Sequence, residues 1–258
     1  MSRPHPEPVE GRGRRTGASL SRASIALAAV LALTPAAALA APACRVPSNL
    51  SPAPVEPVPA HEVQRGVTTA YYLLALSWSP EWCRTNGRGS TSQALQCGGE
   101  PRGFVLHGLW PNGAAPPYPR YCRPVGPIDA ATVRQMFCRT PSPQLLQHEW
   151  QAHGSCGWSS PKAYFDQAAA LYDQVAMPRI ETIDRNALTA GAVRRAFVRA
   201  NRGRLSADGI FVAVDRRGRL TEVRLCHDLT FQPSRCRGGT GAPDRIAIRL
   251  TPSAGRRF

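Results

Sequence analysis

The segment FVLHGLWPNG, Phe104–Gly113, runs from an apolar stretch through His107 into a turn-forming Pro-Asn-Gly sequence. A second segment, HEWQAHGSCG at His148–Gly157, carries two histidines and a glutamate. Histidine has an unperturbed pKa of about 6.5, so it gains and loses its proton near neutral pH. Two such segments in one chain favour proton-transfer chemistry. Taken singly, His107 and His153 also fit histidines that only complete a core or a loop.

Apolar runs on both sides of these segments predict strands. TAYYLLALSW, Thr69–Trp78, predicts a buried strand, and GFVL, Gly103–Leu106, predicts a short strand that leads into His107. The segment between them, Cys83–Pro101, is rich in Gly, Ser, Thr and Asn and predicts a loop. Three more strands are predicted in GIFVAVD, LTEVRLCHD and RIAIRL, and a turn at residues 216–219 joins the first two as a hairpin.

The middle of the chain has helical patterns. Helices are predicted over Gln144–Ala152, over Pro161–Ala176 with Ser159 or Ser160 as its cap, and over Thr189–Ala200. Strands that flank a helical middle predict the α+β class. We therefore expect a single, disulfide-bonded domain with a largely antiparallel central sheet and flanking helices.

The N-terminal residues have the pattern of an export signal. An apolar run at Ile25–Ala40 follows several arginines and ends in the small-x-small sequence Ala38-Leu39-Ala40. The run is short for a membrane span and contains Pro35, which favours cleavage over anchoring. We predict a signal peptide at 1–40, a Pro/Ala-rich leader at 41–68 and a catalytic domain at 69–258. The mature protein is expected to be a periplasmic or secreted monomer without stable membrane insertion.

All eight cysteines lie beyond the predicted signal peptide. An even number of cysteines in an exported chain predicts disulfides, here four of them. A structural zinc site is the competing interpretation, but no two cysteines have the close C-x-x-C spacing of such sites. Oxidised cysteines are therefore the expected state.

The chain is strongly basic, with a formal net charge of +15, and Lys162 is its only lysine. Arginine prefers planar, bidentate partners such as phosphate. An excess of this size favours polyanionic partners, such as nucleic acid, acidic lipid or acidic glycan. The alternative is a basic surface that is merely solvated.

The second histidine segment predicts particular side-chain neighbours. Residues four apart on a helix share a face, so the side chains of Glu149 and His153 are expected to meet. HEWQAH is similar to the zinc motif H-E-x-x-H, but its spacing is one residue longer and separates the two histidines by about 140° on a regular helix. They cannot ligate one metal ion from such a helix. No metal or other cofactor is expected, and His107 and His153 are interpreted instead as an acid and base pair.

FVLHGLWP and HEWQAHGSC, in this order, closely resemble the two active-site segments of the ribonuclease T2 family. LLALSWSPEWC and TEVRLCHD also resemble that family, and the similarity covers about residues 70–250. The resemblance implies a metal-independent endoribonuclease with broad base specificity. Such an enzyme cleaves RNA through attack by the 2′-OH and forms a 2′,3′-cyclic phosphate. DNA lacks that hydroxyl, so no DNA cleavage is expected.

The resemblance also implies roles for individual residues. His107 matches the general acid that protonates the leaving 5′ oxygen, and His153 matches the general base that takes the proton of the 2′-OH. Glu149 matches the acidic residue that assists in the transition state, and His148 matches a histidine that contacts the phosphate.

A base-binding pocket is implied as well. Trp110 matches one of its aromatic residues, Tyr118 lies where a second is expected, and Asn112 stands where the family often has aspartate. For Trp110 and Tyr118 the alternative interpretation is ordinary packing, and Trp150 is interpreted as a core residue. The aspartate helps to choose the base, so its replacement leaves base preference open.

One departure bears on the activity. The family usually has lysine or arginine immediately before the second histidine, and Ala152 stands there. Either an arginine from another segment supplies the charge, or the chain is a catalytically weak RNA-binding or signalling protein that retains the fold. A third hypothesis is a basic protein that binds cell-surface polyanions, in which the motifs are only structural.

The resemblance supports two of the disulfides, Cys83–Cys97 and Cys122–Cys156. Closeness in the sequence favours Cys226–Cys236, and elimination then leaves Cys44–Cys138.

Overall fold

The computed structural model describes residues 44–87, 91–98 and 103–252. For Thr91, Ser92 and Gln93 it describes the backbone but not the side chains. The predicted signal peptide at 1–40 lies outside the described residues. Among the described residues, four strands form one antiparallel sheet: β1 (Tyr71–Trp78), β2 (Phe104–Asn112), β3 (Ile210–Val214) and β4 (Leu220–His227). Their order across the sheet is β2-β1-β4-β3.

The apolar run at the centre of β1 explains its position between two neighbours. Leu74, Ala75 and Leu76 are completely buried. A strand that is covered on both faces has a continuous run of apolar residues rather than an alternation of apolar and polar residues. This strand therefore pairs with β2 on one side and with β4 on the other.

The pairing of β1 with β2 contains a bulge at the first histidine. Ala75 pairs with Gly108 and Leu76 pairs with Leu106, so His107 is the extra residue of β2. A bulge re-aims a side chain and is common beside active sites. The irregularity therefore determines the direction in which the His107 ring points.

In the described part of the chain, six α-helices flank the sheet: α1 (Ser79–Asn86), α2 (Thr91–Cys97), α3 (Ala130–Met136), α4 (Pro143–Ala152), α5 (Pro161–Asp173) and α6 (Ala190–Ala200). The side chains of Ser142, Ser160 and Thr189 accept backbone N–H bonds at the starts of α4, α5 and α6. Such caps satisfy amides that have no partner within the helix. The α+β class with a largely antiparallel sheet and flanking helices is confirmed.

Three local predictions were wrong. The segment predicted as a loop at Cys83–Pro101 contains the end of α1 and all of α2. The Cys83–Cys97 disulfide joins these two short helices, and buried Gln96 donates a hydrogen bond to Ser79, so tertiary contacts hold residues with weak helix propensity. Helix α5 ends at Asp173 rather than at Ala176.

The third error concerns RIAIRL, Arg245–Leu250, which does not form a regular strand. Its backbone bonds alternate between the start of α6 and the turn before β4, through isolated bridges from Ala247 to Thr189 and from Arg249 to Arg219. Each partner meets the segment at a single bridge, so neither pairing extends into a ladder. The predicted hairpin of β3 and β4 is present, and GFVL extends to Asn112 as β2.

The described part of the chain has four disulfides, in the pairing set out above: Cys44–Cys138, Cys83–Cys97, Cys122–Cys156 and Cys226–Cys236. Residues 44–68, which the sequence assigned mostly to a leader, pack onto the fold through this first bridge and through Leu50 in the hydrophobic core. Within the ranges described, no helix is long and apolar enough to cross a membrane.

Candidate active site

His107 is held from two sides by carboxylates. Its Nδ1 lies 2.7 Å from Glu222 Oε1 on β4 and 3.2 Å from Ser77 Oγ on β1. Its Nε2 lies 3.4 Å from Glu149 Oε1 on α4. Burial by itself lowers the pKa of His107, but Glu149 and Glu222 outweigh it and raise that pKa above its ordinary value. The two carboxylates therefore stabilise the protonated form of the ring.

Glu149 is almost completely buried on α4, and its carboxylate links two of the site residues. Oε2 accepts a hydrogen bond of 2.8 Å from Trp110 Nε1, while Oε1 lies beside His107. Burial raises the pKa of Glu149, although the charge of His107 and the bond from Trp110 oppose the shift. Gly108 makes room for this arrangement because a Cβ there would lie 1.8 Å from Glu149 Oε2.

His153 stands at the point where α4 ends. Its backbone amide still donates to Glu149 O at 3.0 Å, but its dihedral angles, φ −121° and ψ −47°, leave the helix. The Glu149 carboxylate therefore contacts Trp110 and His107, and not His153 as the helical spacing predicted. Burial and the positive charge of Arg120 lower the pKa of His153 well below its ordinary value. This ring is neutral at neutral pH.

Trp110 lies between the two histidines. Its ring meets His107 edge-on at a centroid distance of 5.0 Å and stacks on His153 at 5.3 Å. It is a residue of the site as well as a packing residue. Trp150, in contrast, is 2% exposed and belongs to the core.

A cavity of about 400 Å³ opens beside His153. Its lining includes all three residues of the predicted base pocket, Trp110, Asn112 and Tyr118. Tyr118 is 41% exposed, and the side-chain amide of Asn112 donates to Trp110 O. A second cavity of about 390 Å³ lies beside His107, where its lining includes Trp82 and Glu222.

His148 is not among the described residues that line these two cavities. Its Nδ1 lies 3.2 Å from Glu56 Oε2, and its ring meets Tyr121 edge-on. The side chain is 30% exposed, so it remains open to a ligand at the surface. His148 therefore lies outside both cavities, but its charge still acts on Glu149 and His153.

Residues 69–195 match the model of the Ribonuclease T2 family. This part of the chain belongs to the ribonuclease T2 family. A probable ribonuclease of Haemophilus influenzae is 31% identical over 164 residues, which cover 57% of this chain and 58% of that protein. A ribonuclease of Aeromonas hydrophila is 38% identical over 103 residues, which cover 39% of this chain and 44% of that protein. The chain therefore spans about half the length of these relatives.

Solved structures share the ribonuclease T2 fold. RNase NT, solved in complex with 5′-AMP, is 23% identical and superposes with a TM-score of 0.51, over 70% of this chain and 98% of that one. Trichomaglin, an S-like ribonuclease, is 20% identical and superposes with a TM-score of 0.51, over 69% of this chain and 96% of that one. At these identities the likeness concerns the fold.

Both histidine segments of this ribonuclease T2 chain lie within the matched residues, whereas β4 lies beyond them. The sequence analysis assigned no role to Glu222 and Arg224, which β4 places against His107 and Trp110. A signal was available: residues two apart on a strand share a face, and TEVRLCHD was predicted to be a strand. In the described part of the chain, no group of three His, Cys, Asp or Glu side chains could hold a metal ion.

Proposed function

We propose that the chain is an endoribonuclease that cleaves RNA without a metal ion, by attack of the ribose 2′-OH on the adjacent phosphate. One observation carries the proposal: a half-buried histidine, His107, and a buried one, His153, flank one tryptophan, and their pKa values are shifted in opposite directions. Two titratable groups whose environments separate their pKa values have the properties of an acid and a base at one pH.

The proposed reaction uses the two rings in turn. Neutral His153 takes the proton of the 2′-OH, and O2′ forms a bond to phosphorus. The bond from phosphorus to the 5′ oxygen breaks, and that oxygen takes a proton from His107. Because Glu222 accepts a hydrogen bond from Nδ1, His107 has Nε2–H left to donate. The products are a 2′,3′-cyclic phosphate and a free 5′-hydroxyl.

The cavity beside His153 supports binding of a base. Stacking on an aromatic side chain contributes about 1–3 kcal/mol per base and tolerates any base, which fits broad specificity. Trp110 and Tyr118 offer such surfaces in one cavity. The net charge of +15 supports binding to the phosphate backbone, with an affinity that falls as salt rises.

The opposite pKa shifts predict a plateau in the pH dependence of kcat/KM. His153 must be unprotonated, so activity falls at acidic pH around its lowered pKa; His107 must be protonated, so activity falls at alkaline pH around its raised pKa. The acidic midpoint is expected below the ordinary histidine value of about 6.5 and the alkaline midpoint above it. Initial rates on a short RNA across a pH series measure both. Two midpoints on the same side of that value would contradict the assignment.

The proposed function is tested directly by incubating the purified protein with single-stranded RNA and single-stranded DNA in excess EDTA. RNA should be degraded and DNA should remain intact. Activity that is lost to EDTA and restored by zinc would contradict the proposal.

Ala152 favours a second candidate, a catalytically weak RNA-binding protein, because it offers no charge to the phosphate. Turnover of a short RNA by the natural protein separates the two candidates. An endoribonuclease cleaves many RNA molecules per protein molecule, whereas a catalytically weak RNA-binding protein binds the RNA with little cleavage.

The remaining sequence predictions belong to the same proposal. Residues 1–40 are proposed to direct export to the periplasm or beyond and to be removed there. Residues 41–68 are proposed to lead into the catalytic domain at 69–258, which is proposed to act as a monomer. The four disulfides support an oxidising compartment.

A further inference from the structure

Negative charge builds up on the phosphate during the proposed reaction, and a positioned cation would stabilise it. Helix α4 supplies none, since Ala152 is completely buried and carries only a methyl group. The cation, if the site has one, must come from another element. The arginines that line the two cavities are Arg120 and Arg224.

Arg224 is fixed on the same strand as the carboxylate that holds His107. Glu222 Oε1 lies 2.7 Å from His107 Nδ1, and Glu222 Oε2 accepts a bond of 2.5 Å from Arg224 Nε. One carboxylate thus holds the proposed general acid and a guanidinium group together. Residues 222 and 224 share a face of β4, so this arrangement follows from the strand geometry.

Two rings hold the guanidinium in place. Its central carbon lies 4.8 Å from the ring centroid of Trp110 and 5.1 Å from that of Phe211. Among the described residues, the two terminal nitrogens of Arg224 have no hydrogen-bond partner, and the side chain is 31% exposed. These nitrogens form the planar fork that binds phosphate bidentately.

The linings of the two cavities indicate where the reacting phosphate of the RNA would lie. One contains His153 and the other contains His107, and Trp110 and Arg224 are the two described residues that line both. In the proposed reaction the attacking 2′-OH lies beside His153 and the leaving 5′ oxygen lies beside His107. The phosphate between these two oxygens would therefore lie at the boundary between the cavities. Arg224 lies at that boundary.

Arg120 is placed less favourably for this purpose. One terminal nitrogen pairs with Glu62 at 2.8 Å, and its guanidinium lies over the ring of Tyr121. It lines the cavity of His153 but not that of His107. Its positive charge acts on His153 rather than on the boundary.

We infer that Arg224 binds the reacting phosphate and supplies the positive charge that Ala152 cannot. Glu222 is a positioning residue that holds the side chains of Arg224 and His107 in place. The inference rests on the proposed function. Arg224 is assigned a direct contact with the substrate, and Glu222 acts through its two partners.

Arg224→Gln tests the first assignment, with Arg139→Gln as its matched control. Arg139 also pairs with a carboxylate, that of Asp173, and lines neither cavity, so the control removes the same charge elsewhere. We expect Arg224→Gln to lower kcat on a short RNA about thirtyfold or more, since loss of one preorganised donor typically costs 10²–10³-fold. The control should stay within about twofold. Arg224→Gln within threefold of the natural kcat would overturn the assignment.

Binding without cleavage separates this inference from the proposed function. A short DNA oligonucleotide presents phosphates without the 2′-OH, and fluorescence anisotropy measures its affinity. Arg224→Gln should weaken binding several-fold more than Arg139→Gln. If the natural protein cleaves no RNA and this difference persists, the proposed function fails while the phosphate site remains. Equal effects of the two variants would overturn the site.

Glu222→Gln tests the positioning role through the pH profile. The groups that face His107 are Ser77 from β1, Glu149 from α4, and Glu222 with Arg224 from β4. Removing the Glu222 charge lowers the pKa of His107, so the alkaline limb of kcat/KM should move to lower pH. Loss of structure alone would reduce the rate at every pH without moving the limb. An unmoved limb would overturn the role.

Discussion

Replacing His153 with alanine is expected to lower kcat for RNA cleavage by about 10²–10⁴-fold, the usual contribution of a general base. No other described side chain is placed to substitute, because the Glu149 carboxylate is already engaged with Trp110 and His107. His107→Ala is expected to cost a similar factor by removing the general acid. Initial rates on a short RNA in excess EDTA give both values.

The control for this pair is His61→Ala, since His61 is exposed and lines neither cavity. It should keep the natural rate, and thermal unfolding should show that all three variants fold. The two active-site variants should also differ in their pH profiles: His153→Ala loses the acidic limb and His107→Ala loses the alkaline one. A folded His153→Ala or His107→Ala with a rate within tenfold of the natural one would refute the assigned roles.

Gly108→Ala is expected to lower kcat by about 10²–10³-fold, the range for loss of one preorganised electrostatic group. The added Cβ would lie 1.8 Å from Glu149 Oε2 and 2.9 Å from Trp110 Nε1, so the carboxylate must leave its position. The backbone at Gly108 does not have a positive φ, and alanine therefore fits its conformation. The same steady-state assay measures the loss.

Gly126→Ala is the matched control for this substitution, because a Cβ there meets nothing within 4 Å. It should leave kcat unchanged. Full activity in a folded Gly108→Ala would mean that the contact of Glu149 with His107 and Trp110 is not needed for the reaction.

The sequence predicted those parts of the fold that depend on local patterns. The apolar run of β1 and the serine cap of α5 could be predicted because burial and capping select residue types within a few positions. RIAIRL has an equally regular pattern but forms no regular strand, since each of its backbone partners meets it at a single isolated bridge. Helix α2 was missed because the Cys83–Cys97 bridge, rather than its own residues, stabilises it.

The site was predictable where residues cluster along the chain. His107, Glu149 and His153 stand in two short motifs, and the structure brings all three to Trp110. Ser77 and Glu222 escaped prediction because they meet His107 only through the pairing of β1 with β2 and β4. Such register is a property of the whole sheet. The bulge that makes His107 an extra residue of β2 has the same origin.

The most direct test of the proposed chemistry uses a DNA oligonucleotide that contains one ribonucleotide, incubated with the protein in excess EDTA. Mass spectrometry of the products identifies both the cut and its new ends. We expect a single cut on the 3′ side of the ribonucleotide, with a 2′,3′-cyclic phosphate on one fragment and a 5′-hydroxyl on the other. Cuts elsewhere in the DNA, or a fragment that carries a 5′-phosphate, would contradict the proposed chemistry.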